Sequence, residues 1–112
     1  EQVLVNLLTN AIDASAAAVA SRQVTVTADV SGEIVRVSVA DSGNGIAPGV
    51  MARLFEPFFT TKQAGKGLGL GLAISQAIVD EFGGRLHARN RGDGGAVFTV
   101  ELKRITKATL ST

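Results

Sequence analysis

The chain has 112 residues, 46% hydrophobic and 19% charged, which describes one globular domain and excludes a disordered chain or a second core. Eleven basic residues against ten acidic ones give a formal charge of +1, no electrostatic footprint for DNA or RNA. No cysteine is present, so disulfide frameworks and thiolate metal sites are excluded. The longest apolar runs fall far short of the roughly 18 residues a membrane span requires, and no signal peptide is visible. A cytoplasmic domain without direct membrane contact is expected, whose parent protein could itself be membrane-anchored. The first residues, EQVLVNLL, already lie inside a helical pattern without an N-cap, which suggests a piece of a longer protein.

In chain order, residues 1–20 are rich in Leu, Val and Ala, lack Gly and Pro, and predict a helix. QVTVTADV (23–30) and EIVRVSVAD (33–41) alternate and predict a hairpin turning at Ser31-Gly32. Asp41 to Gly49 reads as a loop, and Pro48 suits the start of a short helix over 48–54. Residues 55–66 are irregular. From Leu68 to Phe82, positions Leu70, Ile74, Ala77, Ile78 and Phe82 fall on one helical face, closed by Gly83-Gly84. RLHARN (85–90) and AVFTVEL (96–102) predict a second hairpin, and residues 104–112 a polar tail. Two hairpins and two long helices predict an α+β two-layer sandwich, a mixed or antiparallel sheet with helices on one face.

Three stretches carry candidate chemistry. On the first helix, Asn6, Asn10 and Asp13 stand at i, i+4 and i+7, one above another, with Gln2 a turn earlier and Leu4, Leu7, Leu8 and Ile12 flanking. A solvated surface face would explain the stripe. Yet Asn is a poor helix former, and carboxamides can ligate Mg²⁺ or bond phosphate oxygens.

Asp41-Ser-Gly-Asn-Gly45 ends an apolar strand, placing Asp41 at a buried edge beside a glycine turn. It fails as a Ca²⁺ loop: Gly43 stands in a ligand position and Ala52, not Glu, in the twelfth. It is either an ordinary Asp/Gly turn or a carboxylate that accepts a hydrogen bond from an exocyclic amine. The second reading favours adenine over guanine, whose carbonyl would face the carboxylate without a proton.

FEPFFTTK gathers Phe55, Phe58 and Phe59, either to pin a loop to the core or to present a docking surface for a partner helix. Gly65, Gly67, Gly69 and Gly71 follow in GKGLGLGL and lead into a helix. A loop so poor in Cβ atoms lets N–H groups close on an anion at the helix's positive end. Lys62 and Lys66 flank it. Neither a Walker A sequence nor a G-x-G-x-x-G fingerprint is present.

The order NLLTNAIDA, DSGNGI, FEPFFTTK, GKGLGLGL and a hairpin opening DGGA resembles the catalytic ATP-binding domain of sensor histidine kinases, a Bergerat fold. The resemblance spans Gln2 to about Leu102, and NLLTNAIDAS with FEPFFTTKQAGKGLGLGLAIS looks most like the nitrogen-regulation and dicarboxylate-sensing subgroup. It implies a domain over 1–103 that lacks its dimerisation and phosphoacceptor domain. Its ligands would be ATP and Mg²⁺. Asn6 and Asn10 would form the catalytic N box, with Asn6 holding Mg²⁺ and Asn10 contacting Mg²⁺ or phosphate. Asp13 completes the stripe where many relatives carry Lys or Arg. Asp41 would hold the adenine amino group, with Gly43, Gly45 and Ile46 beside it. Residues 55–66 match the ATP lid, with nucleotide contacts implied for Phe59, Thr61, Lys62 and Lys66. Gly67, Leu68, Gly69 and Leu70 continue that set. In the last box Gly94 and Gly95 are present, but Ala96 replaces the usual Thr or Ser.

The resemblance further implies a reaction, donation of the γ-phosphoryl group to a histidine on a separate helical bundle, with a response regulator downstream. Hydrolytic relatives carry a Glu four residues before the first Asn to activate water. Gln2 stands there instead, and an amide is no useful base. His87, the one histidine, sits in an alternating strand and reads as a strand residue rather than the phosphoacceptor. Alternatives are a self-sufficient ATPase of the same fold, a related serine kinase, and an interaction module that uses nucleotide only to set its conformation.

Overall fold

The computed structural model describes residues 2–15, 23–59, 71–92 and 94–103. Helix α1 (Gln2–Ser15) is followed by strands β1 (Val24–Ser31) and β2 (Ile34–Asp41), short helix α2 (Pro48–Met51), helix α3 (Gly71–Glu81), and strands β3 (Arg85–Asn90) and β4 (Ala96–Lys103). The strands form one sheet in the order β1-β2-β4-β3, antiparallel throughout, with the helices on one side. The expected two-layer sandwich is therefore present, in the antiparallel form.

Register divides the strand residues into two faces. The pairings Val26↔Val39, Val39↔Phe98 and Ala88↔Phe98 place these side chains together on the helix-covered face. The core consists of Val39, Leu86, Ala96, Phe98 and Val100 from the sheet, Leu7 and Ala11 from α1, and Val79 from α3. Each fully buried Val or Leu contributes about 1.5–3 kcal/mol of transfer free energy. α1 lies over β2 and touches β1, while α3 packs on β3 and alongside α1. Edge strand β1 is thus left largely exposed, Val26 and Val30 included.

Several sequence expectations shift. The first hairpin turns through Gly32-Glu33, because Ser31 pairs with Ile34; Gly32 (φ 59°) takes the first central position, as in a type II′ turn. The helix begun at Pro48 ends at Met51 and gives way to turns, its Pro in the first turn as expected. α3 terminates in a Schellman motif: Gly84 N–H donates to Val79 O at 2.9 Å and Gly83 N–H to Asp80 O at 3.0 Å. The face that α3 buries is Leu72, Ser75 and Val79, not the predicted stripe, since Ile74, Ala77 and Phe82 are exposed. Likewise α1 buries Leu7 and Ala11 while Leu4 and Ile12 face outward. Both helices carry more apolar residues than one core face can take, so periodicity marked the helices without choosing the buried side.

Candidate nucleotide site

The buried end of β2 anchors the site. Asp41 is 1% exposed, and its Oδ1 accepts hydrogen bonds from the N–H groups of Gly43 (2.9 Å) and Ala96 (3.2 Å). A buried carboxylate persists only with such donors. The first comes from the turn that the sequence marked; the second comes from β4, a partner 55 residues away. Gly95, at φ 86°, makes the close approach possible, since a Cβ there would collide with the Asp41 carbonyl. That carbonyl accepts in turn from Arg91 Nη1 at 3.1 Å.

Beside the carboxylate lies a cavity of about 300 Å³ lined by Asn10, Asp41, Gly45, Ile46, Val50 and Leu54, with Ala96 and Phe98 behind. Apolar walls with two convergent polar groups suit a flat, partly polar ring. Ile46 is held by Asn90: Ile46 N–H donates to Asn90 Oδ1 (2.7 Å), and Asn90 Nδ2 donates to Ile46 O (2.8 Å). At Gly45 a Cβ would stand 2.9 Å from the same Asn90 oxygen.

Asn6 lies one turn before Asn10 on α1, at the start of α3. Its Nδ2 donates to Gly71 O (3.2 Å) and Ser75 Oγ (3.1 Å), while Ser75, fully buried, donates its own proton to Gly71 O at 2.9 Å. Because a carbonyl can only accept, these bonds fix the amide orientation and leave Oδ1 as the acceptor of the pair. Such an oxygen suits Mg²⁺, which takes few protein ligands and completes its shell with water and substrate phosphates. Among the described residues no cluster of three or more His, Asp or Glu side chains competes as a metal site.

The phenylalanine segment divides. Phe55 packs against the core. Phe59 lies under the Arg53 guanidinium, 4.6 Å from ring centroid to Cζ. Phe58 takes a φ of 67°, rare for a bulky residue, and is 73% exposed. The core-pinning reading of this stretch therefore holds for Phe55, while Phe58 is left exposed.

The structure brings Asn10, Asp41, Gly45 and Ile46 to one cavity, puts Asn6 a helical turn away, and places Gly43 as a donor to Asp41. Thr61, Lys62, Lys66, Gly67, Leu68, Gly69 and Leu70 lie outside the described residues, as does the Asp13 side chain. Sequence reasoning missed Asn90 and Ser75 and discounted Ala96, whose backbone N–H, not its side chain, does the holding. Only Asn90 left a trace, as a polar residue ending the strand before the last glycine turn. His87 stands on the other face of the sheet, its Nε2 3.3 Å from Glu101 Oε1.

Comparison with known proteins agrees with this architecture. Residues 1–106 match the family model described as histidine kinase-, DNA gyrase B- and HSP90-like ATPase. The two-component sensor PprA of Pseudomonas aeruginosa is 48% identical over an alignment of 106 residues that covers 91% of this chain and 11% of PprA. The C4-dicarboxylate transport sensor protein DctB of the same organism is 45% identical over 90% of this chain and 16% of its own length. The nucleotide-free catalytic domain of histidine kinase ThkA superposes with a TM-score of 0.79 at 40% identity, covering 92% of this chain and 64% of that one. The chain belongs to the histidine kinase-, DNA gyrase B- and HSP90-like ATPase family, and its relatives are sensor histidine kinases. It spans 11% and 16% of the two curated sensors. No helix among the described residues is long and apolar enough to cross a membrane.

Proposed function

We propose that this chain binds ATP with Mg²⁺ and donates the γ-phosphoryl group to a histidine on a separate helical bundle in two-component signalling. The observation that carries the reading is the cavity in which buried Asp41 and Asn10 converge between apolar walls. Asp41, whose Oδ1 is committed to Gly43 and Ala96, offers Oδ2 to the adenine amino group. Guanine would set a carbonyl against that oxygen, two acceptors with no proton between them. Ile46, held by Asn90, and Leu54 would bound the ring.

Asn6 Oδ1 would hold Mg²⁺, with Asn10 as second ligand or phosphate contact. The metal, when bound, supplies charge neutralisation on the triphosphate. The chain's own residues position the phosphates. In transfer, an imidazole nitrogen forms the N–P bond as the bond from the γ-phosphorus to the ADP oxygen breaks, in line. Gln2 at the first turn of α1 offers no base for water, which supports transfer over hydrolysis. Exposed Ile74 on α3 and Phe82 just past its end, with Phe58, would offer the apolar surface on which the bundle docks, and through it a response regulator.

The test mixes the chain with a histidine-bearing bundle from a cognate sensor and follows labelled γ-phosphate. Label should appear on the bundle and not on His87. Nucleotide binding without any transfer would leave a nucleotide-dependent interaction module, and steady phosphate release by the chain alone would make it a hydrolytic ATPase.

A further inference from the structure

The sheet face turned away from the helices is organised in cross-strand rows. Next to the row of Ser31, Ile34 and Lys103 at the β1–β2 turn, Asp29, Arg36, Glu101 and Arg85 stand side by side. Arg36 there binds both acids, Asp29 Oδ1 at 3.3 Å and Glu101 Oε2 at 2.8 Å. The next row is Thr27, Ser38, Thr99 and His87, with Ser38 and Thr99 hydroxyls 3.1 Å apart and His87 turned to Glu101. The row beyond it, Thr25, Ala40, Val97 and Arg89, holds one charge and no acid.

Small residues in the middle of a row and long ones at its ends make a trough. Here Ala40 and Val97 form the floor, Thr25, Thr27 and Ser38 one wall, and Arg89 with Arg91 the other, around about 410 Å³. No carboxylate lines it among the described residues, because the acids of this face are engaged by Arg36 at the opposite end. Arg89 forms no ion pair or hydrogen bond with a described residue. We propose that this trough is a binding site for a small multivalent oxyanion, phosphate or carboxylate in kind, held between the Arg89 guanidinium and the hydroxyls of Thr25, Thr27 and Ser38. A planar guanidinium fork matches either oxyanion in bidentate fashion, and hydroxyls donate to the remaining oxygens. The open trough has room for a ligand larger than a single inorganic phosphate. The site backs onto the nucleotide cavity across one strand: Ala96 faces the cavity and Val97 the trough.

An NMR titration of the 112-residue chain with inorganic pyrophosphate, and separately with citrate, tests this, with ADP present to keep the probe out of the nucleotide cavity. Saturable shifts at Thr25, Thr27, Ser38 and Arg89 with either probe are expected, and the stronger of the two tells phosphate from carboxylate. Arg89→Gln should weaken them about tenfold, the loss of one charge-assisted contact, while Arg89→Lys should keep part of the affinity. Thr27→Val, on an exposed strand position, checks the hydroxyl wall without threatening the fold. Shifts confined to the Asn6–Gly71 side, shifts that survive Arg89→Gln, or no saturation with either probe would overturn the site. Because the readout is positional, failure of ADP to bind would show separately, around Asp41 and Ile46.

Discussion

Asn90 grips Ile46 through both ends of its carboxamide, accepting from Ile46 N–H at 2.7 Å and donating to Ile46 O at 2.8 Å. Two segments 44 residues apart are joined as if by one more rung of sheet, and the joined loop forms a wall of the cavity. Asn90→Ala should therefore act on binding through position rather than contact. Two neutral hydrogen bonds are worth about 1–3 kcal/mol together, so ATP affinity measured by calorimetry should fall about tenfold or more. An unchanged Kd would separate Ile46 from the site.

Asp41 serves the fold and the ligand at once, and two substitutions tell these apart. Asp41→Asn keeps an oxygen for Gly43 and Ala96, so the melting temperature should change little while ATP affinity drops by about 1.5–3 kcal/mol, the value of a bond to a charged group. Asp41→Ala orphans both buried N–H groups, at about 1–3 kcal/mol each. Asp41→Ala should therefore lose both nucleotide binding and stability. Thermal melts and calorimetry on the pair distinguish the outcomes.

At Asn6 the amide nitrogen is committed to Gly71 and Ser75, which leaves the oxygen as its acceptor. Asn6→Ala should reduce the advantage that Mg²⁺ confers on ATP binding more than it reduces metal-free ADP binding. Titrations with and without the metal give that ratio directly; an equal loss in both would assign Asn6 to helix packing alone.

Gly95→Ala places a methyl group against the Asp41 carbonyl at a φ of 86°. Left-handed strain alone costs about 1–3 kcal/mol, and the collision adds to it. We expect a lower urea midpoint with the slope unchanged, together with weakened nucleotide binding. A variant as stable as the parent would mean that the hairpin end yields without cost.

Acid should loosen the outer face. The hydrogen bond from Arg36 holds the Glu101 carboxyl below its ordinary value of 4.5, and the same bond raises Arg36. A carboxyl lowered on folding contributes stability that is present above the unfolded value and is lost as pH falls through the folded one. Urea midpoints followed from neutrality to below 4.5 should decline in the parent, and Arg36→Ala should flatten the decline. Parallel curves for the two proteins would show that the pair adds nothing to acid sensitivity.

The chain by itself determined its elements and much of its site. Apolar alternation set the four strands, Gly83-Gly84 closed α3, and Asn6, Asn10 and Asp41 stood out because each is a polar residue in an otherwise apolar run. These are local properties, legible wherever a period or a turn residue is. Which side of each helix would be buried was not legible, since Leu4, Ile12, Ile74 and Phe82 are as apolar as the residues that went inside. That choice belongs to the sheet, whose register offered Val39, Phe98 and Val100 to Leu7 and Val79. Only the tertiary structure could supply Ala96 to Asp41, Asn90 to Ile46 and Ser75 to Asn6, because a backbone N–H carries no sequence signature and a pair 44 to 69 residues apart has no spacing rule.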